Sequence, residues 1–539
     1  MKELLQSISR REWYFIAAIA VGIIILTAMP YLYGHYTAFE RMVYTGIHHL
    51  TPGDTNVFLS MIEQVKQGNS VFINLYTSEP QERLFINPLW LSVGWFAKLT
   101  GVSNLLALHI ARSFWIVVFI FVVYLFIAYC IKRQRWRKLV LLLVLFSSGL
   151  GVFFNPFLFD VNNITEHPTD IWVAESITFL TLYHSPHLTA SLTLIVLTFL
   201  LMLIAFRTNK IRFSVGAGIT CLFLLWFHPF NGPTVYFTLF TFLVIIFSQK
   251  RKIIWGYMRH CVIMGVIPIP AVAYLYWLNQ TDWVIRSWAA QNILMSPSVW
   301  MFLIGYGFLV PLGVFGIIRV TKQPSFEKLF IVAWALSSAL LIYFPISFQR
   351  RMSEGLHIPL AILAGMAIIY FLKRYQEKDG SLSTKAFIIL ILLAVFLPLT
   401  NVQILGQDLH LYSTKKSLPY YLHQDEVSAM HWLRDTADER EVIFSSYYTG
   451  NFIPAYSGRI VWIGHGPQTV NLIEKRKITN WFWSDNSEDS QKYTFLKDEK
   501  IRFVYYGQKE KELGTYNPTT KKYLKEVFRN DHASIYSVL

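Results

Sequence analysis

The sequence predicts an all-α polytopic membrane protein with about eleven transmembrane helices, followed by a small C-terminal α/β domain. Three observations predict it. The chain is 54% hydrophobic and only 15% charged over 539 residues, with a mean hydropathy of +0.40, whereas a soluble protein carries about a quarter charged residues. Apolar runs near the ~20 residues that cross a bilayer recur along most of the length. Basic residues gather in every second connector between those runs, as the positive-inside rule requires.

By length and hydropathy the spans fall near 13–33, 103–131, 139–157, 186–206, 213–229, 232–249, 260–278, 300–318, 329–346, 356–372 and 386–403. Lys2, Arg10 and Arg11 precede the first apolar run, which is too long for the core of a signal peptide and lacks a small-residue cleavage site, so it reads as a retained span. The shorter stretch 86–100 is expected to lie on or dip into the outer face. Counting it as a crossing would move the basic run Lys132–Lys138 to the wrong side. An odd number of crossings puts the N-terminus in the cytoplasm and the tail outside, in the plasma membrane.

The net charge of +15 would suit a polyanion partner if it were clustered on one domain. All but one of the excess charges lie among the spans instead, at Lys132–Lys138, Arg207–Arg212, Lys250–Lys252, Arg319–Lys328 and Lys373–Lys385. The charge therefore encodes topology, and no nucleic-acid partner is implied. Cys130, Cys221 and Cys261 fall in or beside spans, which leaves the polar tail without a disulfide framework.

Residues 1–403 form the predicted membrane module, with a first outer loop at 34–102, and residues 404–539 the outer domain. In that domain a helix is expected over Asp425–Thr436, strands over Glu441–Ser446, Arg459–Gly464 and Ile501–Gly507, a helical stretch over Pro467–Trp483, and a final helix–strand pair. It contains no Gly-rich phosphate loop, CxxC pair or HExxH, so it has no self-sufficient active site.

The candidate chemistry lies in the outer connectors. Gly53-Asp54-Thr55 opens an amphipathic stretch, Asn56 to Gln67, with Val57, Phe58, Met61, Ile62 and Val65 at helical spacing. A carboxylate at the membrane surface suits chemistry on a lipid-embedded substrate, and equally suits a helix cap. Arg112 sits inside a long apolar run, where arginine costs ~2.5–3.5 kcal/mol and normally faces a partner or a polar cavity. Arg350 and Arg351 are adjacent at headgroup depth, and guanidinium binds phosphate through paired hydrogen bonds. His184, His187 and His228 gather at the same face without zinc-site spacing, which favours phosphate hydrogen bonding or proton shuttling over metal ligation. Asp160, Asp170 and Glu175 are the acids of the neighbouring loop.

The layout resembles the GT-C superfamily, membrane glycosyltransferases that use polyprenyl-phosphate-linked sugars. Gly53-Asp54-Thr55, Phe58-Leu59, Ile62 and Gln67-Gly68-Asn69 match the way that family begins its first loop. His109-Ile-Ala-Arg112 sits where relatives place an arginine early in the second span. The tail stretch Thr449-Gly450-Asn451-Phe452-Ile453-Pro454-Ala455-Tyr456-Ser457-Gly458-Arg459, ending at Gly464-His465, is similar to tails of poorly characterised prokaryotic members.

The resemblance implies that Asp54 is the catalytic acid or base of an inverting transfer from a polyprenyl-phosphate sugar to a lipid, glycan or protein acceptor. On that basis Arg350, Arg351, Arg112, His184 and His187 bind the donor phosphate, while Asp160, Asp170, Glu175 and His228 orient the acceptor. The chain departs from known branches. Asp54 lacks the adjacent second acid of the protein-mannosyl branch, and Asp160–Asp170 contains no DxD of the oligosaccharyl branch. A divalent metal, Mg or Mn, is thus an open expectation. A flippase or transporter, a ligase of whole glycans, and a non-catalytic assembly factor are the rival readings.

Overall fold

A computed structural model describes residues 2–154, 167–375, 383–485 and 487–539. A helix lies within the described part of each predicted span, and the end of 139–157 falls outside the described residues. Among the described residues, seven helices are long and apolar enough to cross a membrane, or up to nine if each of two bent pairs is one span. The bent pairs are Trp255–Val266 with Ile269–Thr281, at 42°, and Val299–Tyr306 with Leu309–Lys322, at 84°. Ile211–Phe227, with 17 residues, keeps the length of its predicted span, and Phe326–Leu341, with 16, is slightly shorter than its own. The last span is longer, because Thr384–Phe396 continues after a break into Leu399–Thr414. The chain is a multi-pass membrane protein.

Two compact units are present. The first comprises Met1–Met29, Ala111–Tyr274 and Leu294–Gln407. Long-range polar links fix its helices. Glu12 is fully buried and accepts from Arg137 at 3.2 Å, and Arg137 also donates to the Ser7 carbonyl. The basic connector Lys132–Lys138 therefore does more than set topology, since one of its arginines neutralises a buried acid. His357 bridges Ser147 and Thr178, at 3.1 and 2.9 Å.

The second unit comprises Pro30–Ile110, Leu275–Ile293 and Asp408–Leu539. Its strands are β1 (Met42–Tyr44), β2 (Tyr421–His423), β3 (Val442–Phe444), β4 (Ile460–Val461), β5 (Ile501–Tyr506), β6 (Leu524–Arg529) and β7 (Ser534–Val538). β1 pairs antiparallel with β2. The other five form a sheet ordered β4-β3-β5-β7-β6, parallel among β4, β3 and β5 and antiparallel beyond. The expected helix at Asp425–Thr436 is found as Gln424–Thr436, and the helical stretch at Pro467–Trp483 as Leu472–Ser484.

One expectation fails in this region, and one helix appears where none was expected. The final helix–strand pair is a β6–β7 hairpin, because Val527 and Phe528 favour strand and Asn530-Asp531 form its turn. Helix Tyr447–Ser457 was not foreseen, because Pro454 lies inside it. Ser446 starts that helix by accepting the Thr449 N–H at 3.2 Å.

The sheet's core is aromatic. Phe444 on β3 is fully buried and packs on Phe482 (4.6 Å between centroids), Phe495 (5.4 Å), Trp462 (5.5 Å) and Trp483 (5.6 Å). Truncating it removes one ring from every one of those pairs and leaves a cavity. Phe444→Ala is expected to destabilise this region by about 3–5 kcal/mol, read as a lower denaturant midpoint of tryptophan fluorescence in detergent.

Candidate functional site

Asp54 is the first residue of helix Asp54–Lys66, not its cap. The N-cap is Gly53, and no side chain among the described residues caps the helix. The Asp54 carboxylate instead meets the tail, with Oδ1 3.2 Å from His465 Nε2. The Asp54 side chain is 44% exposed and His465 only 9%, so the imidazole is a fixed partner and the acid keeps an open side. Tyr76, fully buried, meets the edge of the His465 ring at 5.7 Å.

The sequence allows this approach through its glycines. A Cβ on Gly53 would lie 2.9 Å from His465 Cδ2, closer than carbon atoms tolerate. A Cβ on Gly450 would collide with the Ile463 carbonyl, next to the turn that delivers His465. Asn451 then reaches Asn56, whose Nδ2 donates to its Oδ1 at 2.6 Å.

The other end of the same helix is held as well. Gln67 Oε1 accepts from Arg459 Nη1 at 2.7 Å, and Gln67 Nε2 donates to the Ser457 carbonyl at 2.9 Å. The first-loop motif and the tail motif, far apart in sequence, are therefore two sides of one contact. The apolar face packs on helix Pro88–Thr100, where Phe58 stacks on Trp90 at 4.6 Å and 14°. A cleft of about 510 Å³, open to solvent, lies in the same unit and is lined in part by Met61, Asn74, Gln81, Asp282, Trp288 and Gln468.

A second polar cluster lies in the first unit. His228 Nε2 is 3.2 Å from Arg351 Nη1, and its Nδ1 is 3.0 Å from Ser191 and Asn231 and 3.3 Å from Glu354. The His187 ring lies 5.7 Å from His228 and 6.2 Å from His184. Arg350 stands over Trp172 at 4.9 Å and approaches Glu175 at 3.9 Å, which is beyond hydrogen-bond range. Its buried Nε has no hydrogen-bond partner among the described residues. Burial pushes the Glu175 carboxyl up, but Arg350 and Arg351 outweigh that and hold it below the usual range. Glu175 is thus an anion balancing two cations.

The remaining candidates have other contacts. Arg112 is buried, and its Nη1 donates to the carbonyls of Thr27 and Tyr183 at 3.2 Å and of Leu182 at 3.5 Å. The Leu182 and Tyr183 carbonyls belong to the last turn before the break at Ser185, where helix ends leave acceptors unpaired. Asp170 is fully buried and accepts from the Gly149 and Gly151 amides at 3.1 Å each. Burial pushes its carboxyl up to about 7. Asp160 lies outside the described residues. His465, Asn451, Asn231 and Glu354 were not singled out from sequence as site residues. The only signal for the first two was the tail motif that contains them.

No protein-family model matches the sequence, and no curated protein does. Solved structures match over nearly the whole chain. The oligosaccharyltransferase of Archaeoglobus fulgidus in its apo form is 13% identical with a TM-score of 0.57, covering 93% of this chain and 70% of its own. The fold is the GT-C fold. A second structure with it, the AglB oligosaccharyltransferase of the same archaeon in complex with an inhibitory peptide and a dolichol-phosphate, is 12% identical with a TM-score of 0.55 over 93% of this chain and 70% of its own. A mutant of the mycobacterial arabinofuranosyltransferase AftD is 12% identical with a TM-score of 0.50, covering 98% of this chain but 41% of its own.

One GT-C structure, again the archaeal oligosaccharyltransferase, is a complex with zinc and sulfate. At the Asp54 position of this chain the donor set is one carboxylate and one imidazole, and among the described residues no third His, Cys, Asp or Glu completes it.

The contacts separate residues that hold the fold from those with spare hydrogen-bonding capacity. Arg112→Leu leaves three buried carbonyls without their donor, at about 1–3 kcal/mol each, and is expected to lower the melting temperature clearly. Arg350→Gln removes no hydrogen bond among the described residues but leaves the Glu175 carboxylate with one cation fewer, and is expected to lower it less than Arg112→Leu does. Heating purified variants and measuring the monodisperse fraction by size exclusion checks both.

Proposed function

We propose that this protein is a glycosyltransferase of the extracytoplasmic face of the plasma membrane, moving a sugar from a polyprenyl-phosphate carrier to an acceptor hydroxyl with inversion. The observation that carries the reading is the Asp54–His465 contact, in which a half-exposed acid at the start of a surface helix is oriented by a distant imidazole. A mere cap needs no such partner.

In the proposed reaction Asp54, ionised at neutral pH, accepts the proton of the acceptor hydroxyl. The acceptor oxygen forms a bond to the anomeric carbon while the bond from that carbon to the phosphate oxygen breaks. The electron pair leaves with the lipid phosphate. A phosphate monoanion or dianion is a good leaving group, so a single acid/base suffices. Arg350 and Arg351 supply cations of the type that stabilise a departing phosphate, His184 and His187 in the same unit offer ring nitrogens for hydrogen bonding, and Arg112 holds the turn that carries them. Glu175, Asp170 and His228 would order those groups and the acceptor.

His465 holds Asp54 in one orientation, and a protonated Nε2 favours the carboxylate form. The apolar and amide-lined cleft beside Trp288 suits an acceptor with both greasy and polar parts. Transfer of a whole glycan is the second reading, because the archaeal structures that share the fold are oligosaccharyltransferases. The mass added to the acceptor separates it from single-sugar transfer.

Asp54→Asn is expected to lower kcat by about 10²–10⁴ while the protein remains folded and still binds polyprenyl phosphate. Near-normal turnover in that variant removes the catalytic role. His465→Ala is expected to lower kcat with little change in the donor KM, since it touches the acid and not the carrier. The pair Arg350→Gln and Arg351→Gln is expected to lose about tenfold or more in kcat/KM, mainly through the donor.

A further inference from the structure

We propose that His423, Asp425 and His532 form a divalent-cation site with the ligand preference of zinc. The site is separate from Asp54 and independent of the glycosyl-transfer reading. His423 and Asp425 lie two residues apart, at the end of β2 and the start of helix Gln424–Thr436, and His532 comes from the distant turn of the β6–β7 hairpin. Their ligand atoms all lie within 4.8 Å of one another. Asp425 Oδ2 is 2.8 Å from His532 Nδ1 and 3.4 Å from His423 Nδ1. A tetrahedral zinc with bonds of ~2.0–2.1 Å holds its ligand atoms about 3.3 Å apart, so the cluster already has the required size.

The donor set is two imidazole nitrogens and one carboxylate oxygen, the mixture that zinc, nickel and copper favour over magnesium or calcium. The His423 and His532 rings stack with centroids 3.5 Å apart and 18° between planes, which places both beside one carboxylate. The His532 side chain is 43% exposed, so a fourth position is open to water.

The backbone around the three is pre-set. Glu426 accepts the His423 N–H at 3.0 Å, closing a capping box with His423, which accepts the Asp425 N–H at 3.2 Å. Asn530 donates to the Asp425 carbonyl at 2.8 Å and accepts the N–H groups of His532 and Ala533, at 3.2 and 2.8 Å. The hairpin turn is therefore docked on the helix start whether or not an ion is bound. Capture needs only a ring rotation of His532 and exchange of the Asp425 amide for the ion at His423. An ion there would clamp the last hairpin of the sheet to the helix that follows β2.

The test uses the full chain in detergent, with any affinity tag removed, stripped with chelator and titrated with zinc chloride. Calorimetry is expected to find a zinc ion per chain whose binding raises the melting temperature. His532→Ala, exposed and outside the cap, is expected to melt like the stripped wild type and to bind zinc about tenfold or more weakly. Asp425→Asn is expected to do the same. Wild type that binds no zinc, or variants that bind it as tightly as wild type, overturns the site.

Discussion

The helix Asp54–Lys66 is gripped at both ends by segments nearly 400 residues later in the chain. At its start the carboxylate of Asp54 meets His465, and Asn56 meets Asn451. At its end Gln67 meets Ser457 and Arg459. Thirteen residues of helix span about 20 Å, so these two anchor points fix both its direction and its rotation. Rotation matters most, because a turn of one residue, about 100°, would carry the acid away from its imidazole. The aim of Asp54 thus depends on the folding of the tail, and the tail depends on the aromatic packing around Phe444.

The cation cluster of the first unit obeys a different constraint. Two guanidiniums and three imidazoles gathered away from water are costly unless balanced. Glu175 balances part of that charge, and cation–π contacts of Arg350 on Trp172 and Arg351 on Phe230 balance more. The 3.9 Å gap between Arg350 and Glu175, and an Arg350 Nε without a partner among the described residues, leave spare hydrogen-bonding capacity. Arg112, by contrast, is occupied with backbone carbonyls at a helix break. It serves the same neighbourhood by fixing the turn that carries His184 and His187.

The membrane helices were legible in the sequence because a bilayer imposes length and hydropathy on each segment separately, and neither depends on a neighbour. Their breaks went unread, although Pro268 lies just after Val266 and Gly307 takes a left-handed φ of 49°. In the C-terminal region the β-branched and aromatic runs at Val442–Phe444 and Ile501–Tyr506 announced their strands. The helix Tyr447–Ser457 was hidden by Pro454. Asp54 was legible as a candidate from its loop, but its contact with His465, 411 residues away, was not. The His423, Asp425 and His532 cluster shows the same limit, since ligand spacing can be read from sequence only when the ligands are local.

The central claim is that a lipid-linked sugar is transferred, with Asp54 as the base, and is not merely carried across the membrane. Proteoliposomes holding the purified protein and a polyprenyl phosphate carrying a radiolabelled sugar test it directly, with extracted envelope lipids and glycans supplied as acceptors. The account predicts that label leaves the carrier and appears covalently on an acceptor, with the released lipid phosphate in equal amount. Label that changes leaflet while remaining on its carrier would contradict the account and make the protein a translocator.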